Sequence, residues 1–217
     1  MPLDRERVIA AAIDLLDEAG LDGLSLRRLA RELGVQAPAL YWHFKNKQEL
    51  LDQLAETIAA RTQHAEPLAP GEAWDDWLAE RARELRAGLN RHRDGAMLAA
   101  STRPQAVQLR NIERQLEVLC AAGLTPVDAM TALIAVSNYV SGFTLDEQAD
   151  RLRGGGGDEA GLGVDEVFRF LEVYPLMSAS LRTILDPNSD ASFERGLQTV
   201  LDGVRAAVGR SSGSSSR

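Results

Sequence analysis

Side chains that can bind phosphate groups and base edges are concentrated in residues 24–47, LSLRRLARELGVQAPALYWHFKNK. This stretch holds five arginines and lysines against one acid, Glu32, whereas the whole chain has a formal net charge of −8. A basic island on an acidic protein attracts a polyanion to one small surface and leaves the rest of the molecule for another task. The stretch therefore predicts contact with nucleic acid.

A short helix that begins near Gln36 is predicted to read base edges in the major groove. Gln36 can hydrogen-bond to a base, and the small side chains of Ala37, Pro38 and Ala39 can approach thymine methyl groups. Arg27, on the preceding helix, can reach O6 and N7 of a guanine.

A second group of side chains is expected to hold the phosphate backbone, which positions a protein without specifying a sequence. Its members are Tyr41, Trp42, His43, Lys45 and Lys47. The alternative is that Tyr41 and Trp42 belong to a hydrophobic core and that the two lysines are only solvated.

Reactive side chains elsewhere are too scattered to indicate catalysis. The three histidines, His43, His64 and His92, lie far apart, and no metal cluster or nucleophile–base pair is apparent in the sequence. The single cysteine, Cys120, lies in the apolar run LEVLCAAGL, which is typical of a helix core rather than of a catalytic thiol. One cysteine excludes an internal disulfide and fits the reducing cytoplasm, where we expect the protein to act. We predict neither an enzyme nor a required cofactor or metal.

The elements that position these side chains are predicted to be helices, because helical periodicity runs through nearly the whole chain and strand patterns are almost absent. Asp4 and Ser25 are good N-caps for the first two helices, and Pro38 fits the first turn of the third. Asn46 begins a fourth helix with Glu49 as its capping-box partner. Glycines at 20 and 34 are expected to end the first two helices.

The segment AEPLAPGEA marks a domain boundary, since it contains two prolines and a glycine. We assign residues 1–46 to a helix-turn-helix domain, 47–63 to a connecting helix, 64–208 to a larger helical body and 209–217 to a disordered tail. Body helices are predicted at 72–91, 94–101, 106–122, 125–151, 164–179 and 189–208. The glycine-rich run 153–163 is predicted to be a mobile loop; it lacks the preceding strand and following lysine of a phosphate-binding loop.

The N-terminal helix, the helix-turn-helix and the LYWHFKNK stretch together resemble the TetR family of bacterial repressors, and most closely its tetracycline repressors. HRDGA at residues 92–96, Thr102-Arg103-Pro104, Gln115 and LDEQ at 145–148 also match. The resemblance runs from residue 3 to residue 148 and is only architectural beyond residue 150. It implies an all-α homodimer with a three-helix DNA-binding domain, and a small inducer that binds in the body and lowers affinity for the operator.

Several positions depart from those that bind drug and metal in tetracycline repressors. Ala99 stands where the family has the histidine that binds Mg²⁺, and Ala37 stands where it has a base-reading glutamine. Other drug-binding positions are occupied here by Gln63, Arg81, Asn138 and Asp146. A site without its protein metal ligand has lost the main basis for metal-dependent binding. We therefore expect a different operator and a mostly apolar inducer of unknown identity, with a role for Mg²⁺ doubtful.

The resemblance implies an inducer pocket in the body, where apolar side chains of the body helices would form the walls together with a few polar groups, as small-molecule sites require. The predicted ligand-binding residues are Leu85, Thr102, Arg103, Pro104, Ile112, Gln115, Leu116, Leu133, Asn138 and Asp146. An ordinary hydrophobic core is the alternative for each apolar member. Arg103 indicates an acidic or carbonyl-bearing ligand, or an ion pair with Asp146.

The eighth and last predicted helices are expected to form a four-helix bundle between two subunits. Helix 125–151 is apolar on more than one face, and helix 189–208 carries the stripe Phe193, Leu197, Val200, Leu201, Val204 and Val208. A short chain has little core in which to bury both, although a monomer that does so is the alternative. Two further functions remain open: a DNA-binding adaptor controlled by a protein partner, and a repressor that responds to tetracycline with Mg²⁺.

Overall fold

The computed structural model describes residues 4–62, 66–154, 173–183 and 188–214. These ranges contain ten helices and no strand, which confirms the predicted all-α class. The helices are α1 (Arg5–Gly23), α2 (Leu26–Glu32), α3 (Ala37–Tyr41), α4 (Lys47–Thr62), α5 (Trp74–Asn90), α6 (Gly95–Ala100), α7 (Ala106–Ala121), α8 (Pro126–Gly154), α9 (Pro175–Thr183) and α10 (Asp190–Ser214).

Helices α1 to α4 form a head around one hydrophobic core. Both predicted N-caps are present: Asp4 Oδ1 accepts a hydrogen bond from the Arg7 amide at 2.8 Å, and Ser25 Oγ accepts one from the Arg28 amide at 3.2 Å. The largest side chains of this core are fully buried; they are Leu16, Leu24, Leu29, Leu40, Phe44, Leu50 and Leu54. The caps fix where α1 and α2 begin, and the core fixes how they pack.

Helix α1 is interrupted at Gly20, the residue predicted to end it. Gly20 has φ 70° and ψ −178°, a conformation that essentially only glycine adopts. A further helical turn follows the break and ends at Gly23. The prediction located the interruption but not the turn beyond it.

Helix α4 connects the head to the body. Asn46 Oδ1 accepts a hydrogen bond from the Glu49 amide at 2.9 Å, as predicted, but the Glu49 carboxylate accepts its hydrogen bond from the Lys45 amide rather than from the Asn46 amide. Farther along α4, Glu56 Oε1 accepts a hydrogen bond of 2.6 Å from the Val107 amide at the start of α7. One helix therefore contacts both parts of the molecule.

The body is held together where α5, α8 and α10 meet. Trp77, Leu78, Val136, Phe193 and Leu197 are buried in its core. Arg86 of α5 bonds to Glu147 of α8 at 3.1 Å and to Asp190 of α10 at 2.7 Å, while its guanidinium lies 4.5 Å from the centre of the Phe193 ring. Charge and packing thus join the three helices at one point.

The apolar stripe of the last helix is buried inside the chain, contrary to its predicted place at a seam between subunits. Phe193, Leu197 and Leu201 are essentially inaccessible, and Val204 is 9% exposed. The prediction failed because α5 and α8 supply enough apolar surface to cover this stripe within one subunit. A dimer needs another surface of α8 and α10.

Two boundaries differ from those predicted. Helix α10 continues to Ser214, past residue 209 where the disordered tail was expected, because an existing helix gains one hydrogen bond for each residue added. Helix α8 continues to Gly154, and the rest of the glycine-rich run lies outside the described residues. Most of the predicted helix 164–179 also lies outside the described residues. Only its last part, residues 173–179, is described, and α9 begins there at Pro175. Among the described helices, none is long and apolar enough to cross a membrane.

Candidate functional site

Helix α3 lies on the surface of the head with its first turn toward solvent. Gln36 and Pro38 are exposed, Ala37 and Ala39 are half-buried, and Leu40 anchors the helix in the core. Gln36 is the N-cap residue but makes no side-chain capping bond, so its amide is available to a base edge. Ala37 packs against the head core, whereas Pro38 faces solvent, and contact of these residues with base edges stays a prediction.

The two aromatic residues after Leu40 are exposed and not part of the core. Tyr41 is 56% exposed and Trp42 is 90% exposed. Burial of a large apolar ring is strongly favourable, so two adjacent exposed rings indicate a surface that another molecule covers. His43 is half-buried beside them.

Arg5, which the sequence analysis did not single out, fixes the end of this segment. Its guanidinium donates hydrogen bonds to the His43 carbonyl at 3.0 Å and to Gln53 Oε1 at 3.1 Å. It also lies 4.6 Å from the centre of the buried Phe44 ring. From the sequence, Arg5 is only a basic residue in the first turn of α1, and this does not predict its contact with His43, 38 residues away.

The basic residues of the head divide into two groups. Arg27 and Lys45 are exposed, and no ion pair of either side chain is present among the described residues. Arg28 instead pairs with Glu18 at 2.7 Å, and Lys47 Nζ donates a hydrogen bond to the Leu21 carbonyl at 2.9 Å. Lys47 is exposed and its ammonium group keeps two further N–H donors, so its contact with phosphate stays a prediction.

A cavity of about 490 Å³ lies between α5, α7 and α8 with the end of α6 at its edge. Its volume is in the range of sites for drug-sized molecules. Six of the ten predicted ligand-binding residues line it: Leu85, Pro104, Ile112, Gln115, Leu133 and Asn138.

The other four predicted ligand-binding residues do not line this cavity. Thr102 donates its hydroxyl to the Leu98 carbonyl at 3.0 Å, which closes the end of α6, and Arg103 is exposed. Leu116 packs against the body core. Asp146 is exposed, because a step of about 100° along α8 turns its neighbour Glu147 inward instead. The predicted ion pair between Arg103 and Asp146 is not found.

The cavity wall has a charged part, of which Arg81 was named from the sequence as a departure from the family's drug-binding positions and Glu84 was not. Arg81 and Glu84 both line the cavity, and Arg81 Nη2 lies 2.6 Å from Glu84 Oε1. They share one face of α5 with Leu85, at the spacing i, i+3, i+4, so a helical-wheel comparison with Leu85 could have found them. On α7, the same spacing joins Gln108, Asn111 and the correctly predicted Ile112.

The lining offers little to a metal ion. Glu84 is the single carboxylate among the lining residues, and Ala99 lies in the wall where a histidine would be needed. Within the described ranges, no cluster of three or more His, Cys, Asp and Glu side chains could hold a metal. Gln63 and His64 lie outside the described residues.

The cavity wall and the head core are adjacent in the chain. Ala99 of α6 lines the cavity, while the preceding residue, Leu98, is 2% exposed and packs in the core of the head. A second cavity, of about 40 Å³, lies between α4, α5, α6 and α7, and it shares Leu85, Ala99 and Gln108 with the first. A ligand that moves α6 would therefore move a residue of the head core.

The loop before α6 also binds the head directly. His92 Nδ1 lies 3.0 Å from the Asp17 carboxylate, and Arg93 Nη1 donates a hydrogen bond of 2.9 Å to the Glu18 carbonyl. Asp94 accepts one from the Leu21 amide at 2.9 Å. All three contacts meet the last turns of α1.

Family models match both parts of the chain. One described as "Bacterial regulatory proteins, tetR family" matches residues 8–54, and one described as "Tetracyclin repressor-like, C-terminal domain" matches residues 66–208. Among curated proteins, the tetracycline repressor protein class A from transposon 1721 of Escherichia coli is 42% identical over 203 residues, covering 93% of this chain and 90% of that protein.

Solved structures of similar regulators cover almost the whole chain. TetR(class A) in complex with 5a,6-anhydrotetracycline and magnesium has a TM-score of 0.69 and 38% identity, covering 94% of this chain and 99% of that chain. BioQ with its double-stranded DNA operator has a TM-score of 0.66 and 33% identity, again covering 94% of this chain and 99% of that chain.

Proposed function

Because the chain belongs to the TetR family of bacterial regulatory proteins, we propose that it represses transcription by binding operator DNA and is released when a small molecule fills its body cavity. The observation that carries this proposal is the direct succession of Leu98 in the head core and Ala99 in the cavity wall. It acts as a regulator in the cytoplasm, where bacterial DNA is, and not as an enzyme.

Operator binding uses the exposed face of the head. Gln36, Ala37, Pro38 and Ala39 meet base edges from α3, and Arg27 reaches a guanine from α2. Tyr41, Trp42, His43 and Lys45 hold the phosphates on either side. The exposure of Trp42 and the hydrogen bond from Arg5 to the His43 carbonyl, just after α3, support this arrangement.

Release follows from linkage between the two sites. A ligand that binds more tightly to the form in which α6 has moved must weaken the form that binds DNA, by its differential affinity for the two. Helix α4 carries the change to the head, since it contacts α7 through Glu56 and the head core through Leu54. The open cavity favours this reading over an adaptor that answers to a protein partner.

The inducer binds without a metal ion. The class A repressor was solved with an anhydrotetracycline and magnesium, whereas this chain has Ala99 and the Arg81–Glu84 pair in its cavity wall. An alanine cannot coordinate Mg²⁺, and one carboxylate already bonded to an arginine is a poor substitute. Tetracycline can still enter by shape, so weak binding that ignores Mg²⁺ is expected.

The active form is a homodimer through α8 and α10. Within one chain, outward positions on these helices include Val127 of α8, at 75% exposure, and the exposed Gly203 of α10. The family's two-fold architecture matches two DNA-binding heads to the two half-sites of an operator.

Selection of binding sequences from a random DNA pool, followed by anisotropy titration at fixed salt, tests the function. A repressor should enrich one palindromic sequence and bind it at least 10³-fold more tightly than random DNA. Failure to enrich any sequence would contradict the proposal.

Titrating tetracycline into the operator complex, with Mg²⁺ or with a chelator, tests whether induction needs a metal ion. Release at sub-micromolar drug that disappears with the chelator would contradict metal-free induction. The variant Ala99→His restores one nitrogen ligand and should raise the metal-dependent affinity.

A further inference from the structure

Asn111 is the most unusual polar group in the wall of the large cavity. It lies on α7, is 7% exposed, and its Oδ1 accepts no hydrogen bond within the part of the chain that the structure describes. Buried polar side chains in native proteins nearly always have a partner, and leaving one without a partner lowers stability. Such a group in a cavity wall points to a ligand that supplies the missing partner.

The amide can turn toward that ligand without moving its helix. Rotation of half a turn about χ2 exchanges the positions of Oδ1 and Nδ2 within the same volume, and this torsion is broad for asparagine. The neighbours of Asn111 on the cavity side include Gln108, Ile112 and Gln115 from the same stripe of α7. The rotation would place Oδ1 where Nδ2 now lies, and Nδ2 in the inaccessible position, so that Oδ1 could accept a hydrogen bond from a donor on the ligand.

The charges in the wall cancel. Arg81 and Glu84 form an ion pair of 2.6 Å, in which the Arg81 side chain is 16% exposed and the Glu84 side chain is 42% exposed. An anionic ligand would have to compete with Glu84 for Arg81, and a cationic one would have to compete with Arg81 for Glu84. Either competition would cost the ion pair.

The rest of the lining is apolar or carries uncharged polar groups. Its apolar members are Leu85, Ala99, Ala100, Pro104, Ile112, Met130, Leu133 and Ile134. The remaining polar members are the amides of Gln108, Gln115 and Asn138 and the hydroxyls of Ser137 and Ser141. This composition suits a ring-sized apolar body with few polar substituents.

We propose that the inducer is an uncharged, largely apolar, metal-free molecule that donates a hydrogen bond, through a hydroxyl or amide N–H group, to Asn111. The inference rests on the proposed function of the cavity as the inducer site and names the chemical class that the site takes. Arg81 and Glu84 act together as a neutral wall that excludes charged molecules.

Four fluorescent probes of similar shape test the class: 1-hydroxypyrene, 1-methoxypyrene, 1-pyrenecarboxylate and 1-pyrenemethylammonium, each titrated into the full chain at pH 7 with a chelator present. The hydroxyl compound should bind at least tenfold more tightly than the methoxy compound, because only it has a donor, and both charged compounds should bind more weakly than the hydroxyl compound. Equal affinity for the hydroxyl and methoxy compounds, tightest binding of the carboxylate or ammonium compound, or no binding of any probe overturns the proposal.

Two substitutions of Asn111 assign the contact. Asn111→Leu, of similar size, should reduce the hydroxyl-to-methoxy affinity ratio to about one, and it should also raise the Tm of the unliganded protein, since an unsatisfied buried acceptor is removed. Asn111→Ala should reduce the ratio in the same way even if leucine disturbs the fold. Glu113→Leu, on the exposed face of α7, is the matched control and should leave the ratio unchanged. An unchanged ratio in both Asn111 variants overturns the assignment.

The test separates this proposal from the proposed function. Operator affinity without a probe is measured on the same samples by anisotropy. A chain that ranks the probes as expected but binds no operator contradicts the repressor function and not the ligand class. A chain that binds its operator but prefers a charged probe contradicts only the ligand class.

Discussion

The carboxylate of Asp94, which precedes α6, accepts a hydrogen bond from the backbone amide of Leu21, 2.9 Å away at the break in α1. Asp94 itself has φ 56°, a left-handed conformation that aspartate tolerates better than most residues. The contact places the side chain directly over Gly20, where a Cβ atom would lie 2.4 Å from Asp94 Oδ2. A loop of the body thus occupies the space that a glycine of the head leaves open.

Gly20→Ala should destabilise the protein by about 3 kcal/mol or more, through backbone strain together with the collision with Asp94. Gly34→Ala is the matched control, because Gly34 also has a positive φ, 66°, but its Cβ would meet nothing within 4 Å. That variant should cost only about 1–2 kcal/mol. Urea denaturation measures both. The double variant Gly20→Ala with Asp94→Ala should recover part of the loss, and equal costs for the two single variants would show that the collision does not matter.

Arg27→Ala should weaken operator binding by about 1–3 kcal/mol and relax the preference at one base pair, because a bidentate contact to guanine is lost. Lys45→Ala, the matched control, should weaken binding to all sequences about equally and lower the salt slope by about one. Anisotropy titrations against the operator and its single-base variants distinguish the two. If Arg27→Ala weakens every sequence equally, the side chain contacts only phosphate.

Gly203→Arg should convert the dimer to a monomer without unfolding the subunit. A Cβ at Gly203 would meet nothing within 4 Å in the single chain, and arginine favours a helix more than glycine does. A charged side chain on the outward face of α10 would block a close approach by the partner. Leu197→Glu is not a suitable test, since Leu197 is fully buried in the body core. Sedimentation should show a monomer with an unchanged helical circular dichroism signal; a persistent dimer would place the interface elsewhere.

Protonation of Glu147 should lower the free energy of unfolding in acid. Burial raises the pKa of this carboxyl, but the hydrogen bonds from Arg86 and Asn90 and the attraction of Arg86 and Arg151 outweigh it, so the pKa lies below its ordinary value of 4.5. A lowered carboxyl pKa adds stability above the ordinary value, and this stability is lost as the pH falls through the lower folded value. Glu147→Gln should cost ~2 kcal/mol at pH 7, and the gap from the parent protein should narrow below about pH 4.5. A gap that stays constant down to pH 3 in urea titrations would exclude this origin.

The elements of this fold were predictable from local patterns, and most of its long-range contacts were not. Asp4, Ser25 and Asn46 cap helices as predicted, because capping depends on residues three positions apart. Lys47 is an example of a contact that the sequence does not reveal. Its charge indicated phosphate contact, but its hydrogen bond to the Leu21 carbonyl depends on how α4 packs against α1.

In the cavity, too, some residues were predictable from the sequence and others were not. Leu85, Ile112 and Leu133 could be found from apolar periodicity, and the structure places each of them in the wall. The pairing of Arg81 with Glu84 follows the i, i+3 spacing within α5, whereas the lack of a partner for Asn111 Oδ1 depends on how α7 packs against its neighbours, which a single sequence does not reveal. The prediction that the apolar stripe of the last helix faces a partner subunit was wrong for a similar reason. An apolar stripe can pack against a partner or against α5 and α8 of the same chain, and the sequence alone does not distinguish the two.

The burial of Leu98 in the head core makes the DNA-binding unit incomplete by itself. A fragment ending after α4 would lack that side chain and carry a hole lined by its own leucines, and removing a buried leucine from such a core typically costs 2–5 kcal/mol. The head is therefore a poor module for fusion to unrelated partners, because the fusion would leave out part of its interior. Exchange of heads between relatives should succeed only when the α6 segment travels with them.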